Sequence, residues 1–207
     1  QEAFNRAPRC HRTTGYGLDG PTLQALERLG YAIDSSAAPL LDRRPLGADW
    51  RRAPLAPYFP DRQQPDLRGA SPVLEVPVTV GFDRPLPEGI GRALVRVPPR
   101  LGTRWLLKHP WAPLAHLHAL DPIECDAERL RRVADSCVER GLPCLNLPLR
   151  SETLWPGESE ACPDGRDVDA LFGRLDAFLR HAVDTLRAHP RTLSDFAAHY
   201  LDEGGAF

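Results

Sequence analysis

An arginine- and glycine-rich segment near the start of the chain could bind an anionic group. It runs from Arg6 to Gly17 and reads Arg-Ala-Pro-Arg-Cys-His-Arg-Thr-Thr-Gly-Tyr-Gly. Arg6 or Arg9 could orient a carboxylate through a two-pronged charge-assisted bond, and glycine allows close approach of the backbone. The segment has neither the GxGxxG nor the Gly-Lys-Ser/Thr pattern of a phosphate-binding loop. An ordinary turn before a helix explains it equally well, so both interpretations stay open.

Asp34 is a second candidate, because it follows the short stretch Tyr31-Ala32-Ile33 and precedes two serines. A carboxylate at the end of a strand could tune a neighbouring acid or base. A cap of the strand end is the simpler explanation of the same pattern.

Three histidines, His109, His116 and His118, raise the question of a metal site. In an extended segment His116 and His118 would lie on the same side. A zinc site also needs further ligands in a tetrahedral arrangement, and no HExxH pattern supplies them. Surface or partly buried histidines are therefore the favoured interpretation.

Arg150, Glu152 and Trp155 form a further candidate group late in the chain. Arg150 could clamp an anionic or hydroxyl-rich ligand, although a surface ion pair with Glu152 is an equally good interpretation. Trp155 could stack on a sugar ring through its apolar face, while a role in the core or as a loop anchor is simpler.

Alternating elements must position these residues. We predict strands over 31–34, 73–80, 93–97 and 142–149, and helices over 20–29, 121–140, 168–186 and from 192 onwards. Residues 39–72 read as a long irregular surface excursion. The alternation predicts an α/β fold with a mainly parallel sheet, in which Asp34 and Arg150 both follow strands. Functional residues in such folds cluster at those strand ends.

Composition narrows the class of protein. The 207 residues, with 42% hydrophobic and 26% charged, fit a single α/β domain spanning 1–207. A net charge of −2 argues against a nucleic-acid partner. No apolar run is long enough for a membrane span. Five cysteines without CxxC spacing indicate free thiols. The lack of a signal-peptide core favours a cytoplasmic location, although the absence of methionine suggests a processed or partial chain.

Several segments occur along residues 2–200 in an order and spacing that resemble a known family, the polysaccharide deacetylases with a NodB-homology domain (carbohydrate esterase family 4). These segments are Phe4-Asn5-Arg6-Ala7-Pro8-Arg9, Gly15-Tyr16-Gly17-Leu18, Asp34-Ser35-Ser36, Leu74-Glu75-Val76-Pro77-Val78-Thr79, Arg150-Ser151-Glu152 and Pro156-Gly157-Glu158-Ser159. Asp167-Val168-Asp169 resembles the start of the family's final helix.

The resemblance implies a deformed (β/α) barrel that removes acetyl groups from N-acetylated sugars with zinc or another divalent metal. It assigns Arg6 to the arginine that orients the catalytic base, and Asp34 to the aspartate that tunes the acid. Arg150 stands where the family has its acid histidine. We expect Tyr16, Glu152 and Trp155 to contact an acetylated carbohydrate.

Two departures from the family pattern leave alternatives open. The chain contains neither the Thr-Phe-Asp-Asp-Gly type motif nor the His-x-x-x-His metal motif, so we find no metal ligands in it. Arg150 cannot donate a proton near neutral pH. The chain is therefore either the later part of an amide hydrolase, completed by an N-terminal half or by a partner copy, or an inactive glycan-binding or scaffold domain. A plain α/β interaction module is the third alternative.

Overall fold

The computed structural model describes residues 7–46, 48–84 and 116–204. Its residues sort into two compact units, Gln1–Val78 with Arg191–Phe207, and Thr79–Pro190. Both units combine helices with short strands, so the fold is mixed α/β. Among the described residues, no sheet closes into a barrel.

A small parallel sheet organises the first unit. It contains β1 (Cys10–His11), β2 (Ile33–Asp34) and β5 (Leu74–Glu75) in the order β1-β2-β5. Cys10 pairs with Ile33, which pairs with Leu74, so the three strands end level with one another. The parallel pairing of β2 with β5 confirms the predicted arrangement of those two strands, whereas β1 was not predicted from the sequence.

Helix α1 (Gly20–Leu29) connects the first two parallel strands. The Asp19 side chain caps its first turn by accepting from the amide of Thr22, and Pro21 occupies the start, where its missing N–H is no loss. Gly30 ends the helix in the left-handed conformation. Leu23 and Leu26 are buried on its inner side.

The segment 39–72 carries structure of its own. It contains the hairpin of β3 (Asp42–Arg43) and β4 (Ala48–Asp49). Trp50 and Tyr58 are fully buried, so the segment supplies part of the core rather than lying only on the surface. Tyr58 also pairs with Glu75 in an antiparallel bridge.

In the second unit, an antiparallel pair of strands packs against a helix. Strand β6 (Val80–Phe82) pairs antiparallel with β7 (Leu117–Ala119), and α2 (Ala127–Glu139) lies against β6. Gly81 is required at that contact, because a Cβ atom there would lie 2.7 Å from Sγ of Cys137.

Helix α3 (Gly165–Arg180) follows and continues as a π-helical turn over His181–Thr185. Its buried side chains Val168, Leu171 and Leu175 pack around Cys162, while Phe178 joins α2 in a second cluster. Helix α4 (Leu193–Asp202) belongs to the first unit, begins at the Thr192 cap as the sequence predicts, and contacts β2.

Two predicted elements differ from the structure. The helix expected from residue 121 begins at Ala127, because the Asp126 side chain accepts from the amide of Arg129 and caps it there. The stretch 142–149 is not a strand, since its two prolines lack the N–H groups a ladder requires. Arg150 therefore does not follow a strand. The strand expected at 93–97 lies outside the described residues.

None of the described helices combines the length and the apolar character that crossing a lipid bilayer requires.

Candidate functional site

The level ends of the three parallel strands bring together the candidate site. In the strand register His11 is the partner of Asp34, and Asp34 is the partner of Glu75. Three titratable side chains from separate parts of the chain thus share the carboxyl edge of the sheet. This edge is where ligands bind in parallel α/β sheets.

His11 and Asp34 form the closest contact of the site. Nδ1 of His11 lies 2.6 Å from Oδ1 of Asp34. The Asp34 side chain is fully buried, whereas 26% of the His11 side chain is exposed. The other ring nitrogen, Nε2, makes no hydrogen bond with any residue that the structure describes. The pair can therefore take up or release a proton at Nε2 while a buried carboxylate holds the ring.

Ser36 donates two further hydrogen bonds to the carboxylate of Asp34. Its hydroxyl donates to Oδ1 over 3.0 Å, and its backbone amide donates to Oδ2 over 2.9 Å. The Ser36 hydroxyl also lies 2.9 Å from the amide nitrogen of Thr13, after β1. The loop after β2 thus fixes the carboxylate and connects it to the end of β1.

Glu75 lies at the strand ends together with His11 and Asp34, and its side chain has no exposed surface. Its Oε1 accepts from the amide of Ala37 over 2.9 Å. Its Oε2 is buried and receives no hydrogen bond. A buried, unsatisfied carboxylate oxygen is unfavourable, so the protonation of Glu75 matters for this site.

Electrostatics separate the two acids. Burial, the negative charge of Asp34 and a hydrogen bond to its carboxyl raise the pKa of Glu75 well above its ordinary value. Burial also acts to raise the pKa of Asp34, but hydrogen bonds from His11, Glu75 and Ser36 outweigh it and lower that pKa. The two pKa values are thus shifted apart, and as the pH rises Asp34 loses its proton before Glu75 does.

Arg12 joins β1 to the loop that follows β2. Its Nε donates to the Ser35 carbonyl over 2.9 Å, and Nη2 donates to the Ser35 hydroxyl over 2.7 Å. The same hydroxyl donates to the carbonyl of Val76 after β5. Burial lowers the pKa of Arg12, although the charges of Tyr16, Glu75 and Asp34 oppose that effect. The charge of Arg12 interacts with both Glu75 and Asp34.

Tyr16 lies in the same unit, in a strained turn. Its backbone has a φ of 66°, next to Gly15 with a φ of 71°. The Arg43 guanidinium lies 5.3 Å from the centre of the Tyr16 ring, and the indole N–H of Trp50 donates to the Tyr16 carbonyl over 2.7 Å. These contacts hold an unfavourable backbone conformation in place.

The other expected substrate-binding residues belong to the second unit. Arg150 and Glu152 form an ion pair of 3.5 Å, with more than half of each side chain exposed. Trp155 is 69% exposed, which fits a role in binding better than a role in the core. Asp34 and Arg150 belong to different units.

The remaining candidates are less informative. Arg6 and His109 lie outside the described residues. His116 forms an ion pair with Asp83, with Nδ1 3.4 Å from Oδ2. Nε2 of His118 is buried without a partner, and burial lowers the pKa of that ring.

A divalent metal requires several nitrogen, oxygen or sulfur ligands on converging side chains. The described residues contain no group of three or more histidine, cysteine, aspartate or glutamate side chains that could hold one. At the strand ends, Nδ1 of His11 is engaged by Asp34, which leaves Nε2 as a single ring donor. These described side chains therefore do not by themselves supply the donor set of the zinc that the resemblance implies.

Sequence reasoning identified Asp34 but missed His11, Arg12 and Glu75 as members of one site. The sequence contains a pattern that could have indicated these residues. His11 and Glu75 each end a short segment that precedes a turn or a proline-containing stretch, as Asp34 does. What the sequence did not give was the register that aligns the three ends.

Comparisons with protein-family models, with curated proteins and with solved structures produced no match to this chain.

Proposed function

We propose that this chain is the later part of a carbohydrate deacetylase, which removes acetyl groups from N-acetylated sugars, and that His11 with Asp34 carries out its proton transfers. The observation that carries this proposal is the 2.6 Å bond from a partly exposed imidazole to a fully buried carboxylate. The deformed barrel would be completed by an N-terminal half or by a partner copy.

In the proposed reaction, His11 transfers one proton from water to the leaving amide nitrogen in two steps. Neutral His11 takes a proton from water at Nε2 while the water oxygen bonds to the acetyl carbon. The imidazolium then returns that proton to the amide nitrogen as the carbon–nitrogen bond breaks, which leaves acetate and an amino sugar. Asp34 holds Nδ1 and stabilises the imidazolium, as carboxylates do in other histidine-dependent hydrolases.

His11 removes one difficulty that the resemblance raises. Arg150 stands at the position of the family's acid histidine, and a guanidinium does not release its proton near neutral pH. His11 is a different residue that can perform the transfer, and its partner Asp34 is the residue assigned to tuning the acid. The segments quoted from Arg6 to Ser159 support the substrate class.

The test is acetate release from N-acetylated chitooligosaccharides by this chain together with the N-terminal half or partner copy that completes the barrel. We expect His11→Gln and Asp34→Asn each to reduce the rate by about 10²–10⁴-fold, the typical contribution of a general acid or base. The control is His199→Gln, which alters another partly exposed histidine of the same unit, on α4, and should leave the rate unchanged. A wild-type protein that releases no acetate would overturn the function, and full activity in His11→Gln would overturn the role of His11.

A second candidate function is a glycan-binding domain without catalysis. The specific observation in its favour is the exposed Trp155 beside the Arg150–Glu152 ion pair, since arginine replaces the acid histidine there. It predicts that chitooligosaccharides bind without acetate release. In a calorimetric titration Trp155→Ala should abolish binding, whereas Phe172→Ala, at another exposed aromatic residue, should not.

A further inference from the structure

We infer that Glu75 is a positioning residue that stays protonated and donates its Oε2 proton to Asp34, so that the two buried acids and His11 form one chain of hydrogen bonds ending at Nε2. The position of this proton is independent of the reaction. Its effect on catalysis rests on the proposed function.

The strand register places the two acids next to each other. Asp34 and Glu75 are direct partners on β2 and β5, and neither has exposed surface. Partners on neighbouring strands project to the same face of the sheet, and a hydrogen bond between the two carboxyl groups contributes to both pKa shifts. Two ionised carboxylates cannot hydrogen-bond to each other, because neither carries a donor. A proton on one of them converts a repulsive contact into a bond.

A count of donors decides which acid carries that proton. Asp34 receives three hydrogen bonds, from His11 Nδ1 and the Ser36 hydroxyl at Oδ1 and from the Ser36 amide at Oδ2. Glu75 receives one, at Oε1, and Oε2 receives none. The negative charge is therefore better solvated on Asp34, and the proton belongs on Oε2 of Glu75.

The surroundings of Glu75 agree with a neutral acid. The titratable and charged groups around it are Arg12 after β1, Asp34 on β2 and Tyr58 on the segment paired with β5. Nε and Nη2 of Arg12 donate to the carbonyl and the hydroxyl of Ser35. Tyr58 hydrogen-bonds to Pro65 through its hydroxyl and to Glu75 through backbone atoms only. Among the described residues, Oε2 has no hydrogen-bond partner.

A neutral Glu75 has a consequence for His11. The acid pair then carries a single negative charge, located on Asp34, which keeps the His11 proton at Nδ1. Nε2 is left as the basic nitrogen of the neutral ring. The loss of the Glu75 donor would leave one lone pair of Asp34 without a partner and weaken its hold on that tautomer.

The decisive measurement is infrared difference spectroscopy of the full chain near neutral pH. We expect a carbonyl stretching band of a buried protonated carboxyl group, which disappears in Glu75→Gln and persists in the control Glu203→Gln, at an exposed glutamate of the same unit. Its absence from the wild-type protein, or its persistence in Glu75→Gln, would show the inference to be wrong.

Paired substitutions test the positioning role. Gln keeps the shape of Glu and a donor, so Glu75→Gln should retain kcat and the Nδ1–H tautomer of His11 seen by nitrogen NMR. Glu75→Leu removes the donor, and we expect kcat to fall by at least about tenfold with KM unchanged. An equal loss in both variants would contradict the role. If the infrared band is present but the wild-type protein releases no acetate, the proton position stands and the proposed function fails.

Discussion

Asp34 and Glu75 occupy the same register position on neighbouring parallel strands, and neither side chain has any exposed surface. Their pKa values shift in opposite directions, because burial and the charge of Asp34 act on Glu75 while donors from β1 and from the loop after β2 converge on Asp34. The two acids therefore affect the stability of the fold with opposite dependence on pH.

Asp34 should stabilise the folded protein at neutral pH and lose this effect in acid. The pKa of Asp34 is lower in the folded protein than in the unfolded chain. Its contribution to the free energy of unfolding is therefore present above about pH 4 and is lost as the pH falls through the folded-state pKa. In urea denaturation across this range, we expect Asp34→Asn to lower stability most at neutral pH and least in acid. The exposed Asp169→Asn serves as control. A stability difference independent of pH would contradict the prediction.

Glu75 should show the opposite sign. Its pKa is raised on folding, so its contribution is full below about pH 4.3 and declines as the pH rises toward the folded-state value. Glu75→Gln does not titrate, and its free energy of unfolding should therefore increase relative to wild type as the pH rises above that point. The measurement is the difference between two denaturation series, with Glu203→Gln expected to give none. A decreasing difference would refute the assignment.

Gly81 should tolerate no side chain. A Cβ atom at this position of β6 would lie 2.7 Å from Sγ of Cys137 and 3.3 Å from a methyl carbon of Val133. We expect Gly81→Ala to destabilise the protein by about 1–3 kcal/mol. Gly173→Ala is the matched control in α3, where nothing lies within 4 Å, and it should stabilise the helix by about 0.5–1 kcal/mol. Chemical denaturation of both variants distinguishes the two outcomes.

Three thiols should be unreactive in the folded protein. Burial raises the pKa of Cys125 and Cys137 to about 11 and that of Cys144 to about 12, and alkylation requires the thiolate. At about pH 8, iodoacetamide should label these residues only after unfolding. The partly exposed Cys10 should react first, and Cys10→Ser should remove that early product. Peptide mass spectrometry gives the order of labelling, and early modification of Cys137 would contradict this picture.

The sequence predicts those elements whose ends are determined by nearby residues. Helix α1 begins and ends where its Asp19 cap and Gly30 predict, and α4 begins at Thr192. The expected strand over 73–80 is divided into β5 and β6 around Pro77, a residue that cannot donate to a ladder. The predicted start of α2 was wrong because Asp121 and Asp126 are both possible N-caps. Only the structure shows that the Asp126 side chain accepts a hydrogen bond from the first turn of the helix.

The candidate site could be predicted only in part. Asp34 follows a recognisable strand, so its position at a strand end could be inferred. His11 lies 23 residues before its partner, and Ala37 lies 38 residues before the carboxyl to which it donates. Such contacts depend on the relative register of short strands, and a two-residue strand has too little alternation to indicate its register.

The antiparallel bridge between Tyr58 and Glu75 makes a remote loop part of the site's framework. Two backbone hydrogen bonds, of 2.8 and 3.0 Å, connect these residues, and the Tyr58 hydroxyl is anchored 2.6 Å from the Pro65 carbonyl. An engineer who grafts new sequence into residues 59–70 to alter specificity would therefore disturb the backbone beside Glu75.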